Sequence, residues 1–302
     1  MKTELTELPL DQVRTLLAVV DEGTFDAAAA ALHVTPSAVS QRVKALEQRT
    51  GRVLLQRVKP VRATESGEVI VRFARQLARL ERDARAELGM SAAGEPTRVS
   101  VAVNADSLAT WFLPVLARVG KEPRLCFELR SDDETRTAAL LREGLVMAAV
   151  TSSPEPVAGC SVRPLGRMRY LATASPAFAR EHLGGPLRET LAVAPTLAFG
   201  RDDDLQDGFV RRLGGGDGAS SERHQIPASE GFLRAVVMGL GWGLLPVTQA
   251  QPLVRSGQLV SLAPDRPYDV PLYWQQWKLD SPALAAVARA VLATAAEALE
   301  TR

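Results

Sequence analysis

The 302-residue sequence has little cysteine and little histidine, two and three residues respectively. Cys126 and Cys160 form neither a CxxC pair nor a metal-spaced cluster, so buried free thiols in a reducing cytoplasm are expected rather than a disulfide framework. His33, His182 and His224 fall in different expected elements, which argues against a metal site or a catalytic triad. No Ser-His-Asp constellation is visible, so no catalytic residue is nominated and an enzyme is not expected. Apolar runs of about 18 residues are lacking, which excludes a transmembrane helix. The segment Met1–Pro9 is polar and has no apolar core of the kind a signal peptide needs. Net charge is also nearly absent, 36 basic against 35 acidic residues, or +1. A polycation that coats nucleic acid indiscriminately is thereby excluded.

What charge there is, is unevenly placed. Arg42 to Arg62 holds seven basic residues (Arg42, Lys44, Arg49, Arg52, Arg57, Lys59, Arg62) against Glu47, a net +6, whereas residues 1–41 carry −4. The basic segment overlaps a short two-faced helix over residues 36–50. Val39, Val43 and Leu46 recur at i, i+4 and i+7 and make one apolar stripe. Ser37, Ser40, Gln41, Lys44 and Gln48 share another side, with the hydrogen-bonding and cationic groups that reach base edges and phosphates in a major groove. Thr35 suits the N-cap, Pro36 the first turn and Gly51 the left-handed C-terminal position. Upstream, Leu10, Val13, Leu16, Leu17 and Val20 predict a first helix broken at Gly23. Phe25–Leu32 predicts a short second one, followed by a turn at His33–Thr35. Helix, short helix, turn, helix is the helix-turn-helix order. Val53–Leu55, the basic residues around Pro60, and Thr64 read as a hairpin wing. A charge run alone would be a solvated helical face; on this pattern it is a phosphate-binding footprint.

Residues 8–67 resemble the winged helix-turn-helix of LysR-type transcriptional regulators. The strings that carry the resemblance are Phe25–Ala29, Thr35–Val43, Leu46–Glu47 and Thr64–Gly67. The family implies base or backbone contacts from Pro36, Ser37, Ala38, Ser40, Gln41 and Lys44, and a wing contact from Arg57; Arg62 belongs to the same basic wing. It also implies a mainly α winged domain at 1–67, a linker and dimerisation helix at 68–90, and an α/β effector domain at 97–302. The effector domain is expected to be two-lobed and periplasmic-binding-protein-like, with lobe I at about 97–164 and 269–302 and lobe II at about 165–268. In the linker, Ile70, Phe73, Leu77, Leu80 and Ala84 alternate by three and four as a coiled-coil seam that fails at Glu87. A paired head reading two half-sites makes dimerisation its expected use. Ser91–Pro96 reads as a joint.

The body reads as alternating strand and helix. Arg98–Val103, Leu125–Leu129 and Val146–Val150 predict strands, and Ser107–Val119 and Thr135–Glu143 predict helices, with Pro114 bending the first or sitting in its first turn. Such alternation indicates a parallel, wound sheet. A second series runs from Tyr170 through Leu197–Phe199, Gly231–Met238 and Gly243–Leu245 to about Val260. Crossovers near 163–168 and 265–270 would make a cleft, the place where such folds bind small ligands. Gly239–Gly243 follows a helix and precedes a strand, the reverse of a dinucleotide loop, and is a turn lining the cleft at most; Gly214–Gly218 lacks the Lys-Ser/Thr of a phosphate loop and reads as a flexible surface loop. Trp274 and Trp277 suit a core or an interface.

Asn104–Trp111, Asp133–Thr137 and Leu272–Trp274 resemble one branch of the family, the lysine- and arginine-responsive regulators of basic amino acid export (the ArgP/LysG type). That branch implies a free basic amino acid as effector and no cofactor. Its carboxylate would want hydroxyls or backbone N–H groups, for which Ser107 and Thr151 are placed at strand–helix junctions. Its cations want carboxylates, and Asp202, Asp203, Asp204, Asp106 and Glu230 are the candidates. The acidic triplet reads equally as a solvated or capping loop, and Asp106 equally as a helix cap. Expected partners are double-stranded DNA with an interrupted dyad, RNA polymerase, and further copies of the chain as a homodimer or homotetramer. The competing readings are an architectural or replication-related DNA-binding protein without an effector, and a cleft enzyme with a regulatory head.

Overall fold

The computed structural model describes residues 7–90, 96–119, 125–132 and 134–300. The chain divides into two compact units, one built on the N-terminal elements and the other on most of the chain from Thr97 onward.

The N-terminal unit contains α1 (Leu10–Glu22), α2 (Phe25–Ala31), α3 (Pro36–Thr50), the strands β1 (Leu55–Gln56) and β2 (Arg62–Ala63), and α4 (Glu65–Glu87). The caps lie where the residue types put them. Thr24 accepts from the Ala27 N–H at 3.1 Å and Thr35 from the Ala38 N–H at 3.2 Å. Gly51 ends α3 at φ 64°. Val13, Leu16, Val19, Ala28, Val39, Val43, Leu46 and Leu54 are buried together as one core. Each such valine or leucine contributes about 1.5–3 kcal/mol of burial. β1 and β2 pair antiparallel, Leu55 opposite Ala63, as the short wing.

The start of α4 is locked onto this wing. Thr64 donates its hydroxyl to the Val53 carbonyl at 2.7 Å and accepts from the Gly67 N–H at 3.1 Å. Gly67 is required there because a Cβ would sit 2.0 Å from the Leu54 carbonyl oxygen. Along α4 the expected seam is corrected at its first position. Ile70 is buried in the head core with Val71 and Ala74, because it lies about 100° around the helix from Val69. Val69 takes its place on the outward stripe, exposed with Phe73 and Leu80, while Leu77 is half-buried. Apart from Pro96, the expected joint at Ser91–Pro96 lies outside the described residues.

The second unit is built on a seven-stranded sheet ordered β10-β6-β11-β5-β3-β4, with β9 also pairing β6. Its elements in chain order are β3 (Thr97–Asn104), α5 (Ala105–Ser107), a π turn (Leu108–Phe112), α6 (Leu113–Arg118), β4 (Leu125–Asp132), α7 (Glu134–Arg142) and β5 (Ala148–Thr151). β6 (Cys160–Ala174), α8 (Pro176–His182), α9 (Leu187–Thr190), β7 (Thr196–Ala198), α10 (Leu205–Arg212), β8 (Arg223–Gln225) and α11 (Ser229–Met238) follow. β9 (Gly243–Pro246), α12 (Val247–Arg255), β10 (Val260–Ser261), β11 (Tyr268–Trp277) and α13 (Pro282–Ala298) complete it. Pro114 sits in the first turn of α6, where a missing N–H costs nothing.

The sheet is mixed rather than parallel throughout. β3 pairs parallel with β4 and β5, but β6 pairs antiparallel with β9, β10 and β11. The expected crossover near 163–168 lies within the long strand β6, and the one near 265–270 runs from a turn into the start of β11. β6 and β11 run side by side from Tyr268 opposite Tyr170 to Trp277 opposite Cys160, with a register shift after Leu272. Trp274 and Trp277 are buried. Between them Gln275 accepts from the Val157 N–H at 2.9 Å and donates to the Glu155 carbonyl at 2.9 Å, pinning the loop after β5.

Two smaller expectations also change. Cys160 is buried but Cys126 is exposed, since it points outward from β4, the last strand on its side of the sheet. The glycine loop 214–218, expected as a flexible surface loop, is tied at Asp217, whose carbonyl accepts from Arg211 at 3.2 Å, and next to it at Ala219. Asp207 accepts from the Ala219 N–H at 2.8 Å and from both Arg223 terminal nitrogens at 2.6 and 2.7 Å. These bonds hold the Asp207 carboxyl below its ordinary range against the opposing effect of burial.

Gly67→Ala should destabilise the head by about 2 kcal/mol or more, because backbone and not a movable side chain occupies the space. Thermal unfolding of the variant should show a lowered head transition; an unchanged transition would contradict the close approach of α4 to the wing.

Candidate functional site

The outward face of α3 carries Pro36, Ser37, Ser40, Gln41, Lys44 and Gln48, all exposed, with Ala38 half-buried beside them. The opposite face is the buried stripe of Val39, Val43 and Leu46. The helix therefore presents polar and cationic groups over a rigid apolar base. Arg57 and Arg62 are exposed on the wing. Other cations serve structure: Arg42 lies 3.8 Å from Asp11, and Arg49 donates to the Glu7 carbonyl at 3.2 Å. Among the described residues, no ion pair engages the side chains of Lys44, Arg57 and Arg62, which leaves them open to a phosphate.

In the second unit a cavity of about 700 Å³, including its open mouth, lies at the C-terminal end of β3. Asn104, Ala105 and Asp106 line it from one lobe, and Phe199, Asp202–Gln206, Ser229, Phe232, Leu244 and Leu245 from the other. No basic side chain is among these lining residues. The apolar walls suit an aliphatic chain, and the charged groups are carboxylates only.

Asp106 is the most constrained of them. Its carboxylate accepts from the Ser229 hydroxyl at 2.6 Å and from the Tyr170 hydroxyl at 3.0 Å. Burial by the surrounding pocket wall raises its pKa above the ordinary aspartate value, and the two hydrogen bonds oppose that rise. Asp106 is thus neither a simple solvated acid nor the cap of α5, whose N-cap, Asn104, makes no side-chain capping bond.

The acidic triplet divides by role. Asp203 caps its own loop, accepting from the Phe199 N–H at 2.7 Å and the Leu205 N–H at 3.1 Å. Asp202 and Asp204 are exposed at the mouth, Asp204 lying 3.9 Å from Arg211. The remaining three candidates are not brought to the pocket. Ser107 is fully buried beneath it. Thr151 is buried, and its hydroxyl donates to the Ser153 carbonyl and accepts from Gln275. Glu230 is exposed in the first turn of α11, pointing away while its neighbour Ser229 faces in. Ser229 is absent from the sequence candidates because a ligand cation points to carboxylates, and a lone serine beside Glu230 carries no signal of its own. Tyr170, 64 residues from Asp106, left no local signal. Among the described residues no group of His, Cys, Asp or Glu could hold a metal, and no helix is long and apolar enough to cross a membrane.

A helix-turn-helix head joined to a two-lobed domain with a ligand-sized cleft defines a ligand-responsive DNA-binding regulator. Residues 10–68 match the bacterial regulatory helix-turn-helix protein, lysR family, and residues 92–296 match the LysR substrate binding domain; the chain belongs to the LysR family of transcriptional regulators. It is similar to the HTH-type transcriptional regulator LysG of Mycobacterium tuberculosis, 48% identical over 94% of this chain and 92% of the relative. It is also similar to the lysine export transcriptional regulatory protein LysG of Corynebacterium glutamicum, 46% identical over 95% and 98%. The full-length Corynebacterium glutamicum LysG structure with bound effector Arg superposes with a TM-score of 0.81 at 44% identity, covering 97% of this chain and all of that one.

Replacing a phosphate-contacting cation weakens binding to every sequence and flattens the dependence of log K on log salt by about one. Arg57→Ala and Lys44→Ala should each do this in a gel-shift series at several salt concentrations. An unchanged affinity and slope would remove that residue from the DNA interface.

Proposed function

We propose that this regulator senses a basic amino acid, lysine or arginine, in the pocket at Asp106 and controls export or metabolism genes through it. The observation that carries this reading is a buried carboxylate in a pocket whose lining includes no basic side chain. An unpaired buried charge costs several kcal/mol, so such a site gains most from a ligand that brings a cation. Phe199, Phe232, Leu244 and Leu245 give the ligand's methylene chain an apolar wall. Asp202 and Asp204 add negative potential at the mouth, and Asp203 frames it. The reading is supported by the lysine export regulator and the arginine-bound LysG structure to which the chain is similar. Because the pocket is lined from both lobes, a bound cation favours one lobe arrangement over another. It biases DNA binding only by its differential affinity for the two. The protein then acts in the cytoplasm on an interrupted dyad, in concert with RNA polymerase.

A dyad calls for paired heads, and the outward stripe of Val69, Phe73, Leu77 and Leu80 on α4 is the surface we assign to pairing. Leu80→Asp places a charge in that seam and should shift the protein to a smaller species in light scattering; an unchanged mass would move the interface elsewhere.

Lysine and arginine at about 100 times their dissociation constant should stabilise the protein by about 2.7 kcal/mol. Norleucine, which keeps the chain and loses the charge, should not. Asp106→Asn should lose the lysine response while the head still binds DNA. Calorimetry decides it: equal binding of norleucine and lysine would remove the charge-pairing argument.

A further inference from the structure

The Asp106 carboxylate belongs to the first lobe, following β3, yet both its hydrogen-bond donors come from the other side of the pocket. Ser229 opens α11, and Tyr170 lies on β6 opposite Pro246 of β9. Ser229 is itself held: its oxygen accepts from the Gln249 side-chain amide of α12 at 3.3 Å, which leaves its hydroxyl hydrogen for Asp106. Tyr170 is fully buried apart from its role at the pocket and is wedged between β9 and β11. A donor chain thus runs from Gln249 to Ser229 to Asp106, and a second donor arrives from a rigid strand. We propose that Ser229 and Tyr170 are positioning residues for Asp106, fixing the carboxylate toward the ligand cation and making cation capture depend on the second lobe being in place.

This rests on the reading of the pocket as a basic amino acid site. The chemistry is that of a buried acid whose charged form is disfavoured by burial and favoured by its hydroxyl donors. Donation to the charged form favours it, and loss of a donor returns the acid toward its protonated form. The other ionisable groups around it are Tyr170 itself, the acids Asp202, Asp203 and Asp204, and Glu230 beside Ser229, which faces solvent. None of them carries a basic side chain that could stand in for the ligand's cation. A ligand cation and the two hydroxyls therefore act together on one carboxylate.

The sign follows. Asp106 has a folded pKa raised above its unfolded value. Its ionisation therefore costs stability, increasingly as pH rises from the unfolded pKa through the folded one. Removing Ser229's hydroxyl raises the folded pKa further, so the loss is larger and continues to higher pH. Lysine needs the ionised acid, so its affinity falls on acidification, and the variant moves that fall upward in pH.

The test uses the full-length protein as wild type, Ser229→Ala, Ser229→Thr, Tyr170→Phe and Asp106→Asn. Thermal midpoints without ligand, and lysine affinity by calorimetry, are measured across pH, starting below the ordinary aspartate pKa and ending above neutrality. Subtracting the Asp106→Asn profile isolates the acid. Ser229→Ala and Tyr170→Phe should each displace both the stability and the affinity profile upward. A displacement of one pH unit is about tenfold in lysine affinity below the midpoint. Ser229→Thr, which keeps the hydroxyl, should restore the wild-type midpoint. Profiles of Ser229→Ala and Tyr170→Phe that superimpose on the wild type would overturn the positioning roles. Displaced stability profiles in a protein that binds no lysine at any pH would uphold them and instead defeat the effector reading.

Discussion

The antiparallel pairing of β6 with β11 is the constraint on which the effector domain depends. All ten residues of β11 pair with β6, across one register shift after Leu272, and the same β6 also carries β9 and β10. Strand pairing fixes not only proximity but which side chains face which layer. Tyr170 reaches Asp106 because its place on β6 is set by Tyr268 on one side and Pro246 on the other. Gln275, whose place on β11 the same pairing sets, holds the loop beyond β5 through its side-chain amide. The pocket is therefore framed by backbone ladders, and only its lining is left to side-chain choice.

The lining shows how burial converts an ordinary residue into a selective one. Of the acids drawn together here, Asp203 spends its lone pairs on its own loop, and Asp202 and Asp204 remain in water. Exposed acids attract a cation weakly and are screened by salt. Asp106 is surrounded by protein and pays for desolvation, so a cation placed against it recovers more than one placed at the mouth. On the proposed reading, selectivity would reside in one carboxylate, with the triplet raising the local concentration of cations.

The head was largely legible in the sequence because its signals are local. Thr35, Pro36 and Gly51 mark the ends of α3, and Val39, Val43 and Leu46 mark its buried face, all within one turn-by-turn pattern. The mixed sheet was not legible. β6 pairs with β11 across about a hundred residues, and alternating strands and helices look alike whether the last strand returns parallel or antiparallel. Ile70 and Val69 illustrate a finer limit: both are apolar and adjacent, and only the direction from which the head core approaches decides which is buried. Ser229 and Tyr170 were missed because a hydroxyl acquires its role from the acid it meets, and that acid lies more than sixty residues away.

The contact between Gly67 and the Leu54 carbonyl leaves no slack between the wing and α4. α4 has 23 residues, which makes it a rod of about 34 Å. Because rod and head are joined without play, a tilt of about 10° at the far end swings the wing by about 6 Å, more than the 3.4 Å rise from one base pair to the next. A close approach that leaves no room for one methyl group would thus turn a small angular input into a displacement on the scale of a base-pair step.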